Sequence, residues 1–332
     1  MDIQILDPLT FSNGLIDRWA ELQSANPGLA SPTFSFQFIH AVARCRGGVS
    51  VAVVNDGEAF FPFQREAWGF GVGRPVGAPL SDYHGLVSSA DFTVDLKALV
   101  RKCGLLGWQF NHAPASQTSF GQWSTREAES PVIDLTTWSG GSPKLRDQAQ
   151  NRLRKLEREI GPVEFDFDSR SVADFDQCMV WKEEQIQRTG VYNIMSSRNG
   201  QWIKTLLALL LELRDDRFSA PMSVLRAGGR TVAAHFGMRY AGALQYWFPS
   251  YDTELKVYSP GTILLLNIAE RAKEAGVTLI DLGRGESFYK DRVATGAVPL
   301  LEGRVIVEPL AFKLLDARKQ LAKIVRKGGK AA

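Results

Sequence analysis

The sequence predicts a layered α/β or α+β fold, and three features of the 332-residue chain support this prediction. Apolar residues at three- and four-residue steps predict amphipathic helices, the clearest of which covers Lys144–Ile160. Short β-branched and aromatic runs between glycine turns predict strands, such as Arg230–Arg239. Helices and strands are mixed in both halves of the chain, which is typical of sheets covered by helices.

The composition is that of a globular protein with a substantial core. Hydrophobic residues make up 45% of the chain and charged residues 23%, which excludes wholesale disorder. The net charge of +3 is too small to indicate DNA binding by itself. Three scattered cysteines, Cys45, Cys103 and Cys178, form neither a disulfide framework nor a zinc motif. With no visible signal peptide and no dinucleotide fingerprint, we expect a cytoplasmic protein without a permanent cofactor or metal.

In the first half, turn and capping signals define the elements in order. Asp56-Gly57 is a hairpin signal between two strands, and Gly104 is placed to close a helix. The predicted helices are Gly14–Ser24, one after Ser31-Pro32, and Asp91–Lys102, and the predicted strands are Val49–Asn55, Ala59–Glu66, Trp108–Asn111 and Pro131–Leu135.

The second half follows a candidate linker at Ser139–Pro143. Its predicted helices are Lys144–Ile160, Val172–Thr189, Gly200–Arg214 and Gly261–Ala275, and its predicted strands are Pro221–Arg226, Arg230–Arg239, Gly242–Phe248 and Thr278–Leu282. We therefore expect one domain over residues 1–140, a second over 141–310, and a basic helix and tail over 311–332.

The helix start at Ser259-Pro260-Gly261-Thr262 is a candidate phosphate site. Serine and proline suit the start of a helix, and glycine lets a ligand approach the backbone closely. Free N–H groups and partial positive charge at a helix N-terminus favour phosphate groups. Plain helix capping is the alternative interpretation of the same residues.

The segment Gly283–Lys290 follows the carboxyl end of a predicted strand, where α/β sheets tend to place ligands. In this segment Tyr289 could protonate a leaving thiolate, and Lys290 could neutralise an oxyanion or a phosphate. A surface loop with a solvated lysine would have the same sequence features.

Four residues on and after the predicted strands are further candidates: His235, Tyr246, Trp247 and Asp252. His235 shares a strand face with small residues, so it could line a pocket or fill the core. Tyr246 and Trp247 have opposite orientations, so one could form a wall of the acceptor site. Asp252 could hold a histidine or an amine, or cap the following turn.

Several motifs together resemble the CelD/FemAB-like acyltransferase branch of the GNAT superfamily. They are VAAHFGMRY, YWFPSYD, YSPGTILLLNIAERAKEAG and IDLGRGESFYK within residues 229–290, supported by GRPVGAPLSDYHGL (73–86) and the basic helix Lys144–Ile160. The resemblance implies two GNAT-like mixed-sheet halves packed around one cleft. It also implies acyl transfer from acetyl-CoA or another acyl-CoA to a sugar or lipid-linked sugar amine or hydroxyl. Many members are associated with cellulose or exopolysaccharide synthesis, so polysaccharide machinery is an implied partner.

The resemblance also implies roles for individual residues. The strand ending at Trp247 and Phe248 would offer backbone N–H groups to the thioester carbonyl, and the helix start after Tyr258 would bind the pyrophosphate. Tyr289 would be the general acid, Lys290 would steady negative charge, and His235 or Asp252 would take the acceptor proton. Acceptor-binding candidates are Asp82, Tyr83, His84, Tyr246, Arg284 and Glu286.

Two alternative functions remain open. Tyr258-Ser259-Pro260-Gly261 replaces the usual GNAT loop of Gln or Arg with spaced glycines, and FemAB relatives use aminoacyl-tRNA with a lysine in the position of Lys290. In that case the basic helix Lys144–Ile160 could track tRNA phosphates. The other alternative is an inactive binding subunit of polysaccharide machinery. The basic tail could in addition rest on the inner face of the cell membrane.

Overall fold

The computed structural model describes residues 1–190, 195, 200–285 and 288–328. The chain forms two compact units. The first unit contains Met1–Leu29, Phe36–Ala128 and Pro299–Ala332, and the second contains Ala30–Ser35 and Glu129–Val298.

The first unit opens with alternating strands and helices. In chain order they are β1 (Ile3–Leu6), α1 (Asn13–Ala25), α2 (Phe36–Cys45), β2 (Val49–Val54), β3 (Ala59–Gln64), β4 (Val72–Gly73), β5 (Val87–Ser88), α3 (Leu96–Lys102) and β6 (Gly107–Pro114). Strands β1, β2, β3 and β5 form an antiparallel sheet in the order β1-β2-β3-β5.

Aromatic side chains dominate the core of the first unit. The ring of Trp108 lies 5.0 Å from Phe61, 5.5 Å from Phe110 and 5.7 Å from Phe120, measured between centroids. Edge-to-face and offset contacts of this kind add to the free energy of burying the rings. Strand β6 therefore contributes Trp108 and Phe110 to the aromatic core of this unit.

The second unit contains most of the remaining elements. In chain order the elements are β7 (Ser124–Asp134), α4 (Pro143–Glu159), β8 (Val163–Asp166), α5 (Val172–Thr189), α6 (Gln201–Glu212), β9 (Phe218–Ser219), β10 (Met222–Ala227), β11 (Arg230–Tyr240), β12 (Ala243–Tyr251), α7 (Pro260–Glu274), β13 (Leu279–Asp281), α8 (Phe288–Val293), β14 (Gly296–Ile306) and α9 (Pro309–Gly328). Strand β14 and helix α9 return the chain to the first unit, where β14 pairs with β6.

The sheet of the second unit has the order β7-β13-β12-β11-β10-β8, with β9 beside β11. Of these pairings, β12 with β13 is parallel and the others are antiparallel. The β12–β13 register covers only Ala243 to Gln245 opposite Leu279 to Asp281. Strand β12 continues to Tyr251 while paired with β11 on its other side. The edge of β12 that faces β13 therefore opens after Gln245.

Helix α7 packs its apolar face against this sheet. Ile263, Leu264 and Ile268 are buried in the core of the second unit together with Ile280 of β13. Helix α4 also contributes to this core through Leu145 and Leu156, as its apolar periodicity predicts. The hydroxyl of Ser142 accepts the N–H of Leu145, so a serine caps α4 at the predicted linker.

The predicted α/β class with mixed sheets is confirmed, and most predicted elements lie close to their observed bounds. Helix α3 is shorter than predicted because the carboxylate of Asp95 caps the N–H groups of Lys97 and Ala98. Strand β7 is longer than predicted, and β14 was not predicted. Within the described residues, no helix combines the length and apolar composition needed to cross a bilayer.

The compact units divide the chain at other points than the sequence predicted. The boundaries fall after Ala128 and Val298, and not near residues 140 and 310. Pairing of β14 with β6 and packing of Phe312 from α9 against Gly107 place the C-terminal segment in the first unit. Both boundaries fall inside strands, β7 and β14, so no loop or linker marks them in the sequence.

We expect Gly303→Ala to destabilise the protein, because a Cβ at this position would lie 2.0 Å from the carbonyl oxygen of Trp123. The backbone at Trp123 cannot move aside as a flexible side chain could. The free energy of unfolding should therefore fall by roughly 2 to 4 kcal/mol. Urea denaturation of both proteins measures the difference.

Gly14→Ala is the matched control. A Cβ at Gly14 meets no atom within 4 Å, and the residue lies in α1. Alanine should therefore leave stability unchanged or raise it by up to about 1 kcal/mol. Equal destabilisation by the two substitutions would contradict the close backbone approach at Gly303.

Candidate functional site

The opening between β12 and β13 leads into a cavity of about 380 Å³, here called the α7 cavity. It lies within the second unit. Five elements and the segment before α7 contribute to its lining. The lining residues are Leu145 (α4), Gln185 (α5), Tyr246, Pro249 and Tyr251 (β12), Lys256 and Ser259 (the segment before α7), Pro260, Gly261, Thr262 and Leu265 (α7), and Tyr289, Arg292 and Val293 (α8). The structure thus brings together Tyr246, Ser259, Gly261, Thr262 and Tyr289 from the residues predicted by sequence.

The start of α7 is open towards ligands because its N-cap residue uses no side-chain hydrogen bond. Ser259 has a left-handed backbone (φ 53°, ψ 50°), and Pro260 occupies the first helical turn. The Tyr251 ring lies against Gly261, where an added Cβ would be 3.4 Å from a ring carbon. The N–H groups of Thr262 and Ile263 donate to the Ser259 carbonyl, so the start of α7 offers the Gly261 N–H and the positive end of the helix dipole to the α7 cavity.

The charge of the lining favours anions. Lys256 and Arg292 are its two charged residues, and the lining defined above contains no carboxylate. The guanidinium of Arg292 donates to the Gln148 side-chain oxygen at 2.6 Å, which holds the cation beside α4. Two cations and a helix N-terminus together create a site for phosphate or another anion.

Tyr246 and Tyr289 line the cavity and remain protonated at neutral pH. Burial raises the pKa of Tyr289 to about 12. Burial, with a further contribution from neighbouring Tyr289, raises the pKa of Tyr246 well above its usual value. A protonated phenol donates a hydrogen bond, so Tyr289 can stabilise negative charge in the cavity.

Gln185 is a polar residue of the cavity that the sequence did not single out. Its side-chain oxygen accepts a hydrogen bond from Nζ of Lys182 at 3.1 Å. An ammonium group has no acceptor, so this contact orients the amide oxygen towards Lys182 and leaves the NH₂ group as donor. Burial, with repulsion from Lys290, lowers the pKa of Lys182.

His235 does not have the geometry of the predicted general base. The ring is fully buried, stacks on Tyr246 at 4.4 Å, and accepts the Trp247 N–H at Nε2 over 3.2 Å. Burial, with the charge of Lys182, lowers the pKa of His235 to about 3. Because Nε2 of His235 already accepts a backbone N–H, this nitrogen is not available to take a proton from the acceptor substrate.

The same hydrogen bond corrects the predicted role of Trp247. Its backbone N–H serves His235 and is therefore not a free donor for a thioester carbonyl. Phe248 pairs with Phe236 of β11 and is buried, and its carbonyl accepts from the thiol of Cys178. Neither residue belongs to the lining of the α7 cavity.

Asp252 caps a turn and lies outside the α7 cavity. Its carboxylate accepts the Glu254 N–H at 2.9 Å and forms an ion pair with Arg230. With Arg230 it lines a separate, more open cavity beside α5. These contacts agree with the alternative prediction that Asp252 caps the following turn. They do not support a role for Asp252 in taking the acceptor proton.

Lys290 holds the glycine turn after β13. Its Nζ donates to the carbonyl oxygens of Gly283, Gly285 and Arg284 at 2.8, 3.2 and 3.4 Å. Asp281 supports the same turn by accepting the Gly283 N–H at 2.7 Å. Lys290 therefore positions the segment that leads to Tyr289. The predicted residue Glu286 lies outside the described residues, and Arg284 contributes its carbonyl to the turn.

Tyr258 points away from the cavity, since its hydroxyl donates to the Glu159 carboxylate at 2.8 Å. The remaining predicted residues, Asp82, Tyr83 and His84, belong to the first unit. His84 is buried, and its Nε2 accepts the N–H groups of Asn111 and His112, both at 3.1 Å. These bonds join its loop to β6, so Nε2 of His84 has a structural contact, and the predicted acceptor-binding role of His84 is not supported by it.

Sequence reasoning missed Lys182, Gln185, Lys256 and Arg292. A signal existed for the first two, because Cys178, Lys182 and Gln185 are spaced four and three residues apart and share one face of α5. Among the residues that the structure describes, no three His, Cys, Asp or Glu side chains form a metal-binding group. The lining of the α7 cavity offers hydrogen-bond donors and two cations.

Comparison with protein families gave a match over most of the second unit. Residues 143–291 match the family model described as "Acetyltransferase (GNAT) domain". This range contains α4 to α7, the first part of α8, and every residue that lines the α7 cavity except Arg292 and Val293. Sequence comparison with curated proteins gave no match.

Solved structures show the same fold over nearly the whole chain. A domain described as the C-terminal domain of a lysylphosphatidylglycerol synthetase from Agrobacterium fabrum is 14% identical, with a TM-score of 0.56 and coverage of 92% of this chain and 96% of that one. FemX is 11% identical with a TM-score of 0.61, covering 93% and 98%. A tandem GNAT protein from the clavulanic acid biosynthesis pathway is 11% identical with a TM-score of 0.50, covering 93% and 99%. The chain thus has a tandem GNAT-like fold.

We expect His235 to make folding stability depend on pH. Its pKa is about 3 in the folded protein and about 6.5 in the unfolded chain, so only the unfolded chain binds the proton between these values. Stability is fully present above about pH 6.5 and is lost as pH falls towards 3, by at most about 5 kcal/mol. Urea denaturation at a series of pH values measures this loss.

His235→Gln is the control, because glutamine can accept the Trp247 N–H without titrating. The free energy of unfolding of the wild-type protein should fall more steeply with acid than that of the variant. Parallel curves for the two proteins would show that His235 is not buried in its neutral form.

Proposed function

We propose that this protein transfers an acyl group from acyl-CoA to an amine or hydroxyl of a sugar or a lipid-linked sugar. The observation that carries the proposal is the α7 cavity, where the open edge of β12, the uncapped start of α7 and Tyr289 meet. The match of residues 143–291 to a GNAT acetyltransferase domain supports the same reaction class.

The phosphates of the donor would bind at the start of α7. The Gly261 N–H, the positive end of the α7 dipole and the positive charges of Lys256 and Arg292 provide complementary partners for a pyrophosphate. The Tyr251 ring and the apolar side chains of Leu145 and Leu265 can contact the less polar part of the donor. The acyl end would then extend along the open edge of β12 towards Tyr289.

Acyl transfer in this site is a direct displacement at the thioester carbonyl. The acceptor nitrogen or oxygen forms a bond to the carbonyl carbon, and the carbon–sulfur bond then breaks with its electron pair on sulfur. The acceptor proton passes to the leaving sulfur, directly or through water. Because the pKa of Tyr289 is about 12 and that of a thiol is about 8.5, Tyr289 acts mainly as a hydrogen-bond donor to the thiolate.

The carbonyl oxygen also needs a donor while it carries negative charge. The Trp247 N–H is occupied by His235, whereas the NH₂ group of Gln185 is oriented by Lys182 in the cavity wall. We therefore assign the oxyanion contact to Gln185. A preorganised donor of this type contributes roughly 3 to 4 kcal/mol to transition-state stabilisation.

The acceptor and the setting of the reaction follow from the resemblance to CelD/FemAB-like proteins. We propose a sugar or lipid-linked sugar acceptor, work alongside polysaccharide machinery, and a cytoplasmic location. Acyl-CoA as donor and three free cysteines support the cytoplasmic location.

Aminoacyl transfer from a charged tRNA is the competing proposal, and the Tyr258–Gly261 sequence is the feature that favours it. The basic residues of α4 provide little support for tRNA binding. Arg152 donates to the Val257 carbonyl, and Lys155 and Arg158 form ion pairs with Glu159. Contacts within the protein thus occupy part of the basic face.

We expect Lys256→Ala combined with Arg292→Ala to weaken binding of acetyl-CoA by about tenfold or more, since both cations face the phosphate site. Lys273→Ala is the matched control, because it removes an exposed cation at the other end of α7. Isothermal titration calorimetry with each variant measures the dissociation constant.

If the double variant and the Lys273→Ala control both bind acetyl-CoA as the wild type does, the phosphates of the donor do not bind at the start of α7. Failure of the wild-type protein to bind acetyl-CoA, together with transfer from labelled aminoacyl-tRNA, would favour the competing proposal. Binding without thiol release for any amino sugar in a panel would indicate an inactive binding subunit.

We expect Tyr289→Phe to lower turnover by roughly 10²-fold while the affinity for acetyl-CoA stays close to wild type, because the hydroxyl acts on the leaving thiolate. Gln185→Leu should lower turnover in the same way through loss of the oxyanion donor. Thiol release in the presence of amino sugars measures turnover.

Tyr258→Phe is the control for the loss of a phenol group. Its hydroxyl bonds to Glu159 outside the α7 cavity, so turnover should remain within about twofold of wild type. Wild-type turnover in a folded Tyr289→Phe variant would overturn the role of Tyr289.

A further inference from the structure

Large apolar side chains are exposed around α9 in the first unit. Trp68 is 71% exposed, Leu310 58% and Leu321 63%. Phe70, Leu106 and Leu314 are also exposed. These six residues, here called the apolar patch, come from the loop before β4, the loop before β6, and α9. Exposed apolar patches of this kind mark interaction surfaces.

Backbone contacts show that the three segments are neighbours. The Leu106 N–H donates to the Gly71 carbonyl at 2.9 Å, and the Glu308 N–H donates to the Leu106 carbonyl at 2.8 Å. The guanidinium of Arg318 on α9 donates to the Trp68 carbonyl. The apolar patch is therefore one continuous region of the first unit.

The exposed leucines of α9 are distinct from its core face. Ala311, Phe312 and Leu315 are buried together with Val72. At 100° per residue, Leu310, Leu314 and Leu321 fall within an arc of about 40°, turned away from that core face. The helix thus has one apolar face in the core and a second apolar face in solvent.

Cations flank the solvent-facing leucines. On the helical projection, exposed Lys313 lies on one side of them and exposed Arg318 on the other. Between Pro309 and Ala322 the only acid is Asp316, and its carboxylate is paired with Arg304 at 2.7 and 2.8 Å. The combined surface offers leucine and tryptophan side chains to an apolar phase and cations to an anionic layer.

We propose that the apolar patch, together with Lys313 and Arg318, docks onto the surface of an anionic lipid bilayer. Indole and leucine side chains enter the boundary between headgroups and acyl chains, while the two cations pair with anionic headgroups. Charge complementarity favours this occupant, because Lys313 and Arg318 outnumber the exposed Glu308 carboxylate beside Leu310, and Asp316 is paired with Arg304.

Sedimentation of the full chain with lipid vesicles tests this proposal. The wild-type protein should bind vesicles that contain phosphatidylglycerol in phosphatidylcholine, with binding weakened by salt and much weaker on phosphatidylcholine alone. Leu310→Asp with Leu314→Asp should lower binding at least tenfold. Lys313→Gln with Arg318→Gln should lower binding to the anionic vesicles and remove most of the salt dependence.

Leu9→Asp is the control, because Leu9 is an exposed leucine (47%) outside the apolar patch and its substitution adds the charge that each of the two patch substitutions adds. It should bind vesicles as the wild type does. Affinity for acetyl-CoA and the thermal midpoint should be unchanged in all these variants, which separates loss of docking from loss of fold or of the α7 cavity.

Three outcomes would overturn the proposal. The first is wild-type protein that stays in the supernatant with anionic vesicles. The second is equal binding by the patch variants and the control. The third is a homodimer in solution that the leucine variants dissociate, which would assign the patch to a protein interface. Each of these can occur whether or not the protein uses acyl-CoA.

Discussion

The early end of the β12–β13 pairing is the constraint on which the site depends. Backbone hydrogen bonds join the two parallel strands only as far as Gln245 and Asp281, and β12 then continues beside β11 alone. The space so created accepts the start of α7 and the side chains of α8. Asp281 and Lys290 hold the glycine turn at the end of β13 and so keep this opening in shape.

Burial decides what each polar group near the opening can do. His235 is neutral and bonded to the Trp247 backbone, so it orders β12 and does not exchange protons with a ligand. Tyr289 keeps its proton because burial raises its pKa. Lys182 orients the Gln185 amide. Catalysis in such a site depends on preorganised donors and positioning more than on a strong base.

The proposed acyl transfer and the proposed lipid docking concern different units of the protein. The α7 cavity belongs entirely to the second unit, and the apolar patch belongs entirely to the first. A peripheral contact with lipid would bring the protein to lipid-linked acceptors, while acyl-CoA is taken from solution. The vesicle and acetyl-CoA experiments are independent, so each surface can be tested by itself.

The sequence by itself determined the mixed α/β class, most helices and strands, and the parts of the site that lie close together in the chain. The start of α7 and Tyr289 were predicted because capping residues and a glycine turn are local signals. Only the tertiary structure decided the roles of His235, Asp252 and His84, since a side chain's hydrogen-bond partners depend on distant strands. It also revealed Gln185, Arg292 and the return of β14 to the first unit, because long-range pairing has no local pattern.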